Sequence, residues 1–239
     1  YPVMTALAAL LESFRKTAQS EREKGDYFER LVKIYLQNEP YYADLYAGKV
    51  WLWEDWRREW ISRGHSDPGA DAGIDLVAQT TDGELHAIQA KFYDESARLA
   101  LEHLSTFFTA SGKKHFSRRW AVLTATAGTH HLREAVKDQH PPVNFITLTE
   151  LENSKVDWAS YQPKAATARL QEKKQARDYQ RRAIADVLNG LAEADRGKLI
   201  MACGTGKTLT ALRLAEQLVG EGGKGGGKVL ILVPSLNLL

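Results

Sequence analysis

Hydrophobic and polar residues alternate in two short runs within residues 73–93, GIDLVAQTTDGELHAIQAKFY. Such alternation predicts β-strands, because successive strand residues point to opposite faces of a sheet. We expect strands at about 74–79 and 84–92. The Asp82–Gly83 pair between them favours a tight turn, so the two strands are predicted to form a hairpin.

Three polar side chains of this hairpin are predicted to converge. Gln89 and Lys91 share one face of the second strand, whereas Ile88 and Ala90 point to the other face, toward a core. The hairpin brings its first strand alongside, so Asp75 can approach Gln89 and Lys91. One end of the hairpin is therefore a candidate site.

Before the hairpin, apolar residues spaced by three and four positions predict a helix over residues 3–24. Gly25 and Asp26 are expected to interrupt it, and Asp26 is expected to cap a second helix at 27–38. Pro40 is predicted to end that second helix. Two helices are therefore expected ahead of the first strand.

The elements after the hairpin continue to alternate. We expect a helix at 96–111, a strand at 119–127, a helix at 129–140 that Pro141 stops, and a strand at 143–150. This order predicts an α/β fold with a mixed sheet, in which the hairpin supplies the first strands.

The composition limits the classes of protein that need to be considered. The chain has 239 residues, of which 44% are hydrophobic, enough for one or two domains with buried cores. The formal net charge is +2, so any surface that binds nucleic acid must be local. A single cysteine, Cys203, rules out a disulfide framework and favours a reducing compartment. The longest apolar runs are too short to cross a bilayer, so no membrane partner is expected.

The composition changes near residue 153 and suggests three parts. Residues 1–152 are predicted to form the first domain. Residues 153–175 are rich in lysine and arginine and are expected to be a basic, mostly helical connector. Residues 176–239 are predicted to begin a second domain, since a glycine-rich loop there lies between an apolar strand, KLIMA, and a helix.

An aromatic segment lies ahead of the hairpin and contains four of the six tryptophans: Trp51, Trp53, Trp56 and Trp60. We expect these rings to cover the core, and stacking on nucleic-acid bases is the alternative. Asp71 could assist a site at Asp75, although it is expected to be solvated in a loop. His65 and His86 have no partner at ligand spacing and are predicted to be structural.

The three hairpin residues suit metal-assisted hydrolysis of a phosphodiester. The carboxylate of Asp75 and the amide oxygen of Gln89 are oxygen ligands for a hard cation such as Mg²⁺. Lys91 can orient the attacking hydroxide or offset charge on the phosphate. A cation is needed because a phosphodiester is anionic and repels hydroxide.

GIDL at 73–76, QAK at 89–91 and GDYFERLV at 25–32 together resemble the PD-(D/E)xK nucleases, in their Mrr-like restriction endonuclease branch. The resemblance extends over about residues 20–150 and implies a restriction-endonuclease-like fold with a mixed sheet for this part of the chain. It implies that Asp75 and Gln89 bind Mg²⁺, that Lys91 is catalytic, and that Glu29 supports the metal site. Glutamine in place of a second carboxylate removes one negative charge, which is expected to weaken the binding of the metal.

The sequence ACGTGKT at 202–208 follows an apolar run and precedes a helical pattern, as a phosphate-binding loop requires. Backbone N–H groups of such a loop and the helix N-terminus hold phosphates. Lys207 would reach the β- and γ-phosphates of ATP, and Thr208 would hold Mg²⁺. Cys203 has no catalytic partner at a suitable spacing and is expected to be a small loop residue.

This loop resembles that of superfamily 2 helicases and translocases, in which Gly204 supplies the flexible position. The resemblance assigns nucleotide binding to Gly204, Thr205, Gly206, Lys207 and Thr208. Upstream, ARDYQRRAI resembles their adenine-recognising Q motif, with Gln180 as the adenine reader. ILVPSLNLL resembles their next motif, a strand that leads into a DNA-contacting loop.

The order of nuclease, basic connector and motor resembles the Type I-like single-polypeptide (Type ISP) restriction-modification enzymes. The resemblance implies ATP-driven translocation on double-stranded DNA and Mg²⁺-dependent cleavage of it in a bacterial cytoplasm. It also implies that a second motor lobe, a methyltransferase and a target-recognition domain follow in the same polypeptide. We therefore expect the chain to be a fragment with no measurable ATPase and at most weak nucleotide binding.

Two other functions fit the same residues. A helicase-nuclease of DNA repair, or of another phage-defence system, would share every motif described above. The first domain could instead be a DNA-binding module that does not cut and that feeds the motor. The presence of Asp75, Gln89 and Lys91 together argues against that second alternative.

Overall fold

The structure is a computed structural model, and the chain divides into two compact units, residues 1–171 and 172–239. The structure describes residues 4–69, 73–94, 97, 100–112, 115–125, 129–163, 167–172, 174–202, 204–219 and 228–230. Within them no helix is both long enough and apolar enough to cross a membrane.

A five-stranded mixed sheet organises the first unit. Its strands are β1 (Val50–Leu52), β2 (Leu76–Gln79), β3 (Leu85–Lys91), β4 (Phe116–Leu123) and β5 (Val143–Ile146). They lie in chain order across the sheet. The β1–β2 and β2–β3 pairs are antiparallel, whereas β3–β4 and β4–β5 are parallel. The predicted α/β fold with a mixed sheet, and the hairpin within it, are confirmed.

Helices cover this sheet and connect its strands. They are α1 (Ala6–Thr17), α2 (Glu21–Asn38), α3 (Pro40–Tyr46), α4 (Trp53–Ser62), a 3₁₀ turn (Leu101–Leu104), α5 (Ser105–Ser111), α6 (Thr129–Ala135) and α7 (Leu148–Glu152). The strand predicted at 143–150 is therefore too long. It stops at Ile146 because Thr147 and Glu150 form a capping box that starts α7.

The predicted break between the first two helices is misplaced. Gly25 lies inside α2, which begins at Glu21 and not after Asp26. Ser20 is the cap, since its hydroxyl oxygen accepts a hydrogen bond from the backbone N–H of Glu23 at 3.1 Å. The chain therefore tolerates a glycine in the interior of an 18-residue helix.

Both faces of the sheet are buried. Ile88 and Ala90 of β3 pack with α1 and α2 in the larger apolar cluster, as the alternation predicts. Ala87 points to the opposite face, where Trp56 of α4 and Phe107 of α5 pack against it. β3 is the central strand, and this double burial fixes the position of its end.

The predicted helical connector is wrong, because the described residues there form a two-stranded hairpin. Its strands are β6 (Val156–Gln162) and β7 (Thr167–Leu170). Val156, Trp158 and Tyr161 are buried in the larger apolar cluster, and the indole N–H of Trp158 donates to the carbonyl of Leu151 at 2.8 Å. Burial of these apolar side chains keeps the segment with the first unit, so that unit reaches residue 171 and not 152.

Among its described residues, the second unit contains two helices, α8 (Asp178–Glu193) and α9 (Lys207–Val219). The strand predicted at 198–202 does not form, and Ile200 is 81% exposed. Of the next predicted strand, residues 228–230 are not in a strand, and 231–239 lie outside the described residues, as does the glycine-rich loop 220–227.

A buried histidine bonds two aromatic side chains below the sheet. Nδ1 of His86 lies 2.9 Å from the hydroxyl of Tyr46 and 3.4 Å from the indole N–H of Trp120. An indole N–H only donates, so Nδ1 is an acceptor and the neutral ring carries its proton on Nε2. Burial lowers the pKa of His86 to about 4, in keeping with its predicted structural role.

This histidine makes folding depend on pH. Its folded pKa lies below that of an unfolded histidine, so its stabilisation is complete above about pH 6.5 and is lost as the pH falls through 4. We expect the free energy of unfolding to fall by about 2 kcal/mol between pH 7.5 and 5 from this group. Urea unfolding should show a flatter pH profile for His86→Gln, while His65→Gln, at an exposed ring, should keep the wild-type slope. Parallel profiles for His86→Gln and the wild type would contradict the assignment.

Candidate functional site

The carboxylate of Asp75 anchors the end of the hairpin. Asp75 directly precedes β2 and lies opposite Gln89 of β3. Its Oδ2 accepts hydrogen bonds from the backbone N–H of Ala90 at 2.7 Å and from Nε2 of Gln89 at 2.5 Å. Its backbone N–H donates to the carbonyl of Ile88 at 3.0 Å, and its own carbonyl accepts from Trp53 N–H at 2.8 Å. The predicted approach of Asp75 to Gln89 is therefore present.

The amide of Gln89 has an orientation set by Asp75. Only 3% of Gln89 is exposed, although it lies at the end of a strand beside a cleft. Because its Nε2 donates to Oδ2 of Asp75, the acceptor atom of the amide is Oε1. No described residue donates a hydrogen bond to Oε1, so this neutral oxygen is available to a ligand.

Glu29 approaches the same place from α2. It is half-buried, and its pKa is raised to about 8, first by burial and then by the negative charges of Asp75 and Asp26. The positive charge of Lys91 acts in the opposite direction. Two carboxyl groups that repel each other across a cleft are an environment that a bound cation would stabilise.

Lys91 ends β3 and is half-buried. Its ammonium group forms neither a hydrogen bond nor an ion pair with the described residues. Lys91 and Gln89 are two positions apart on one strand and therefore point to the same side of the sheet. The ammonium group is thus available to a substrate.

These residues line one cleft of about 670 Å³. Its walls come from α2, the start of α4 and the end of the hairpin, including Arg22, Gly25, Asp26, Arg30, Trp53 and Phe92. Phe92 stacks on Phe28 of α2, with ring centroids 5.3 Å apart. Phe92 was not predicted to line the site, although its position directly after Lys91 in the sequence could have indicated it.

The donor set fits a hard cation. Across the described part of the chain, no three His, Cys, Asp or Glu side chains gather as a metal-binding group. Asp75, Glu29 and Gln89 supply two carboxyl groups and one amide oxygen at a single cleft, and a cation would favour the ionised form of Glu29. Magnesium suits such a set, since it keeps several waters and takes few protein ligands.

The remaining predicted candidates lie elsewhere. Asp71 lies outside the described residues. His65 is exposed and stacks on Trp60 with ring centroids 3.7 Å apart, away from the cleft residues. Trp53 and Trp56 are buried, as expected of rings that cover the core, while Trp51 and Trp60 are half-buried.

The candidate phosphate loop has a backbone conformation with positive φ values at its glycines. Gly204 and Gly206 have φ values of +76° and +74°, which other residues rarely adopt. Lys207 begins α9 and folds back, so that its Nζ donates to the carbonyls of Met201 at 3.3 Å and Ala202 at 3.0 Å. Lys207 thus points across its own loop. Cys203 lies outside the described residues.

Gln180 is buried and ties α8 to this loop. Its Oε1 accepts from the backbone N–H of Arg177 at 2.9 Å, and its Nε2 donates to the carbonyl of Thr205 at 3.0 Å. A Cβ at position 206 would lie 2.6 Å from that Nε2, and the φ of +74° also favours glycine there. The hydroxyl of Tyr179 also donates to Thr205, at 3.1 Å. Both the acceptor oxygen and the donor nitrogen of the Gln180 amide therefore bind protein groups.

A cavity of about 400 Å³ lies beside this contact, lined by Lys174, Gln175, Arg177, Tyr179, Gln180, Gly204, Thr205, Gly206 and Leu209. The predicted nucleotide-binding residues Gln180, Gly204, Thr205 and Gly206 are among them. Thr208 is exposed on the first turn of α9 and is not one of the lining residues. Tyr179 was not predicted as a site residue from the sequence, although it directly precedes Gln180 in the chain.

Two family models match the chain. The model described as restriction endonuclease matches residues 37–168, which is more than half of the chain. The model described as Type III restriction enzyme, res subunit, matches residues 173–239. Glu29 lies outside the first match. No curated protein matches the chain.

Solved structures give two comparisons. The chain is similar to an ATP-dependent Type ISP restriction-modification enzyme, LlaBIII, bound to DNA, with 32% identity and a TM-score of 0.67. The match covers 87% of this chain and 13% of that one. The MspJI restriction endonuclease in complex with a 27-mer oligonucleotide is 18% identical over 62% of this chain and 30% of its own, with a TM-score of 0.37, too low to support an argument.

The bond between Gln89 and Asp75 predicts the effect of a charge at position 89. Gln89→Glu replaces a donor 2.5 Å from Oδ2 of Asp75 by a carboxylate, so repulsion replaces a hydrogen bond to a charged group. We expect this variant to lose at least about 2 kcal/mol of unfolding free energy at pH 8 without metal. Urea unfolding measures it. Gln79→Glu, at a half-exposed position on β2, is the control and should lose far less unfolding free energy. Equal losses in the two variants would mean that the hydrogen bond between Gln89 and Asp75 does not contribute to stability.

Proposed function

The chain belongs to the restriction endonuclease family, and we propose that it hydrolyses phosphodiester bonds of double-stranded DNA with the help of Mg²⁺ at the cleft of Asp75, Gln89, Lys91 and Glu29. The observation that carries this proposal is the shared oxygen Oδ2 of Asp75. It holds Gln89 in place, and Lys91 follows two residues later beside the same cleft.

Asp75 and Gln89 would hold the cation, and Glu29 would support it from α2. A cation bound there supplies Lewis-acid polarisation of the scissile phosphate. The protein's contribution is rigidity, because the carboxylate of Asp75 is held by two hydrogen bonds and need not reorganise. In this arrangement Gln89 would have two roles: its N–H orients Asp75, and its Oε1 would be the neutral ligand of the cation.

Lys91 would act on the substrate directly. Its ammonium group forms no hydrogen bond or ion pair with the described residues, so no such bond has to break when a phosphate approaches. A positive charge there stabilises the negative charge that develops on the phosphate oxygens during attack by water. The half-buried position lowers the local dielectric constant and strengthens that effect.

ATP is the proposed ligand of the second unit. Lys207 would exchange the two carbonyls that it now contacts for the β- and γ-phosphates, and Thr208 would hold the associated Mg²⁺. Gly204, Thr205 and Gly206 would supply backbone N–H groups. Gln180 would read adenine with the N–H group and the oxygen lone pair that its bonds to Thr205 and Arg177 leave open, and its bond to Thr205 would connect the base to the loop.

A longer protein would combine these activities. The Type ISP enzyme to which the chain is similar is described as ATP-dependent and as bound to DNA, and the chain covers 13% of its length. We infer that translocation along DNA by a superfamily 2 motor delivers substrate to the nuclease. A second motor lobe, a methyltransferase and a target-recognition domain of the same polypeptide are the proposed partners.

The nuclease proposal predicts the effect of removing Lys91. Lys91→Met keeps the apolar stem and removes the charge, so the fold should be retained while nicking of supercoiled plasmid with Mg²⁺ or Mn²⁺ falls about 10²–10³-fold. Gel assays measure nicking, and thermal unfolding verifies the fold. Lys49→Met, outside the cleft, is the control. Nicking at the wild-type rate by a folded Lys91→Met protein would refute the assignment, and binding of DNA without any nicking would favour a module that does not cut.

The motor proposal predicts the effect of removing Lys207. Lys207→Ala should weaken binding of a fluorescent ATP analogue to this chain at least about tenfold, because the charge that meets the phosphates is lost. Equilibrium fluorescence titration measures the change. Lys198→Ala, which removes an exposed lysine of the same unit, should bind as the wild type does. Equal affinity in the two variants would argue against a phosphate loop at 202–208.

A further inference from the structure

Gly25 occupies a position in α2 that no contact among the described residues explains. It lies in the helix interior, where glycine is less favourable than alanine, and it lines the candidate cleft. Its φ is not positive, and a Cβ built there would meet no atom within 4 Å. Gly73 shows the contrast, with a φ of +72° and a Cβ that would lie 3.1 Å from Thr106. A bound ligand that approaches the helix closely at position 25 would explain the glycine there.

Two arginines flank this glycine on the same side of α2. Arg22 and Arg30 both line the cleft and are both exposed. Neither forms a hydrogen bond or an ion pair with the residues that the structure describes. Lys24 differs, because it pairs with Glu21 at 2.5 Å and lies 5.9 Å from the Phe92 ring. The two arginines are thus available to an anionic ligand.

The carboxylates lie between these arginines along the helix. Asp26 and Glu29 line the same cleft, and a rise of 1.5 Å per residue separates Arg22 from Arg30 by about 12 Å along the axis. Glu21 and Lys24 of α2 also line the cleft, so its lining is mixed in charge. The span from Arg22 to Arg30 has a guanidinium group at each end and the carboxyl groups of Asp26 and Glu29 between them, which is complementary to a chain of phosphates that meets a cation between the two arginines. The opposite side of α2 is buried in the core through Phe28, Leu31 and Val32.

We propose that one sugar-phosphate backbone of double-stranded DNA runs along this face of α2, with Gly25 at the point of closest approach and Arg22 and Arg30 bound to the phosphates on either side. The proposal rests on the proposed nuclease function of the cleft. Gly25 acts by leaving space, since the absence of a side chain lets the backbone come within reach of Asp75 and Lys91. Arg22 and Arg30 are positioning residues and take no part in bond cleavage.

Gly25→Ala tests the proposal because the two possible roles of this glycine predict different results. Alanine is the better helix former, so we expect the melting temperature to rise by about 2–4 °C. A methyl group that moves the DNA backbone by about 1 Å should weaken binding and slow nicking by about 10–100-fold. Binding is measured by fluorescence anisotropy with a labelled duplex in Ca²⁺, and nicking in Mg²⁺. Gly25→Gln should bind more weakly still.

The matched control is Gly190→Ala. Gly190 also lies inside a helix, α8, and a Cβ there also meets no atom within 4 Å. It does not line the cleft. We expect DNA affinity and nicking to stay at the wild-type level in this control.

The arginines have a separate readout. Each of Arg22→Gln and Arg30→Gln should reduce the slope of log affinity against log salt by about one, since one phosphate contact is lost. Arg58→Gln, at an exposed arginine that pairs with Asp55, should leave the slope unchanged. Lower affinity with an unchanged slope in the cleft variants would contradict phosphate contacts.

The outcomes separate this proposal from the nuclease assignment. If Gly25→Ala melts at a higher temperature and binds DNA as tightly as the wild type, the closest approach is elsewhere and the proposal fails, even if Lys91→Met is inactive. A lower melting temperature for Gly25→Ala would show an intramolecular role and would also overturn it. If Lys91→Met nicks normally while Gly25→Ala loses affinity, the DNA path stands and the active-site assignment fails.

Discussion

The hydrogen bonds to Oδ2 of Asp75 determine the geometry on which the first unit's candidate site depends. One oxygen accepts the backbone N–H of Ala90 and the amide of Gln89, so a single carboxylate fixes both the strand register and a side-chain orientation. A shift of one residue would place Gln89 and Lys91 on the opposite face. Two features therefore fix the register of β2 and β3 here: the alternation of apolar residues, and the hydrogen bonds to the Asp75 carboxylate.

The sheet makes this arrangement rigid. β3 is the central strand, and apolar side chains from α1 and α2 on one face and from α4 and α5 on the other bury it. Close packing leaves few alternative positions for the end of such a strand. Gln89 and Lys91 occupy that end, beside a cleft open to solvent. A rigid support beneath a solvent-exposed edge is what a site with preorganised charges requires.

Helix α2 serves two surfaces at once. Its apolar side, with Phe28, Leu31 and Val32, forms much of the core, and its polar side supplies Glu29 to the cleft. Burial of the apolar side offsets the unfavourable glycine at position 25. Tertiary packing thus lets the helix keep a residue that helix propensity alone would reject, at a place where a side chain would project into the cleft.

The sequence by itself determined the elements whose signals are local. Alternation and the Asp82–Gly83 turn specified the hairpin and the facing of Gln89, and the glycines specified the positive φ values of the candidate phosphate loop, because backbone sterics act over a few residues. Only the tertiary structure decided that Gly25 lies inside a helix, that residues 156–170 form strands, and that Gln180 bonds the loop at Thr205. Those outcomes depend on burial of Trp158 and on contacts between residues distant in sequence, which no local pattern encodes.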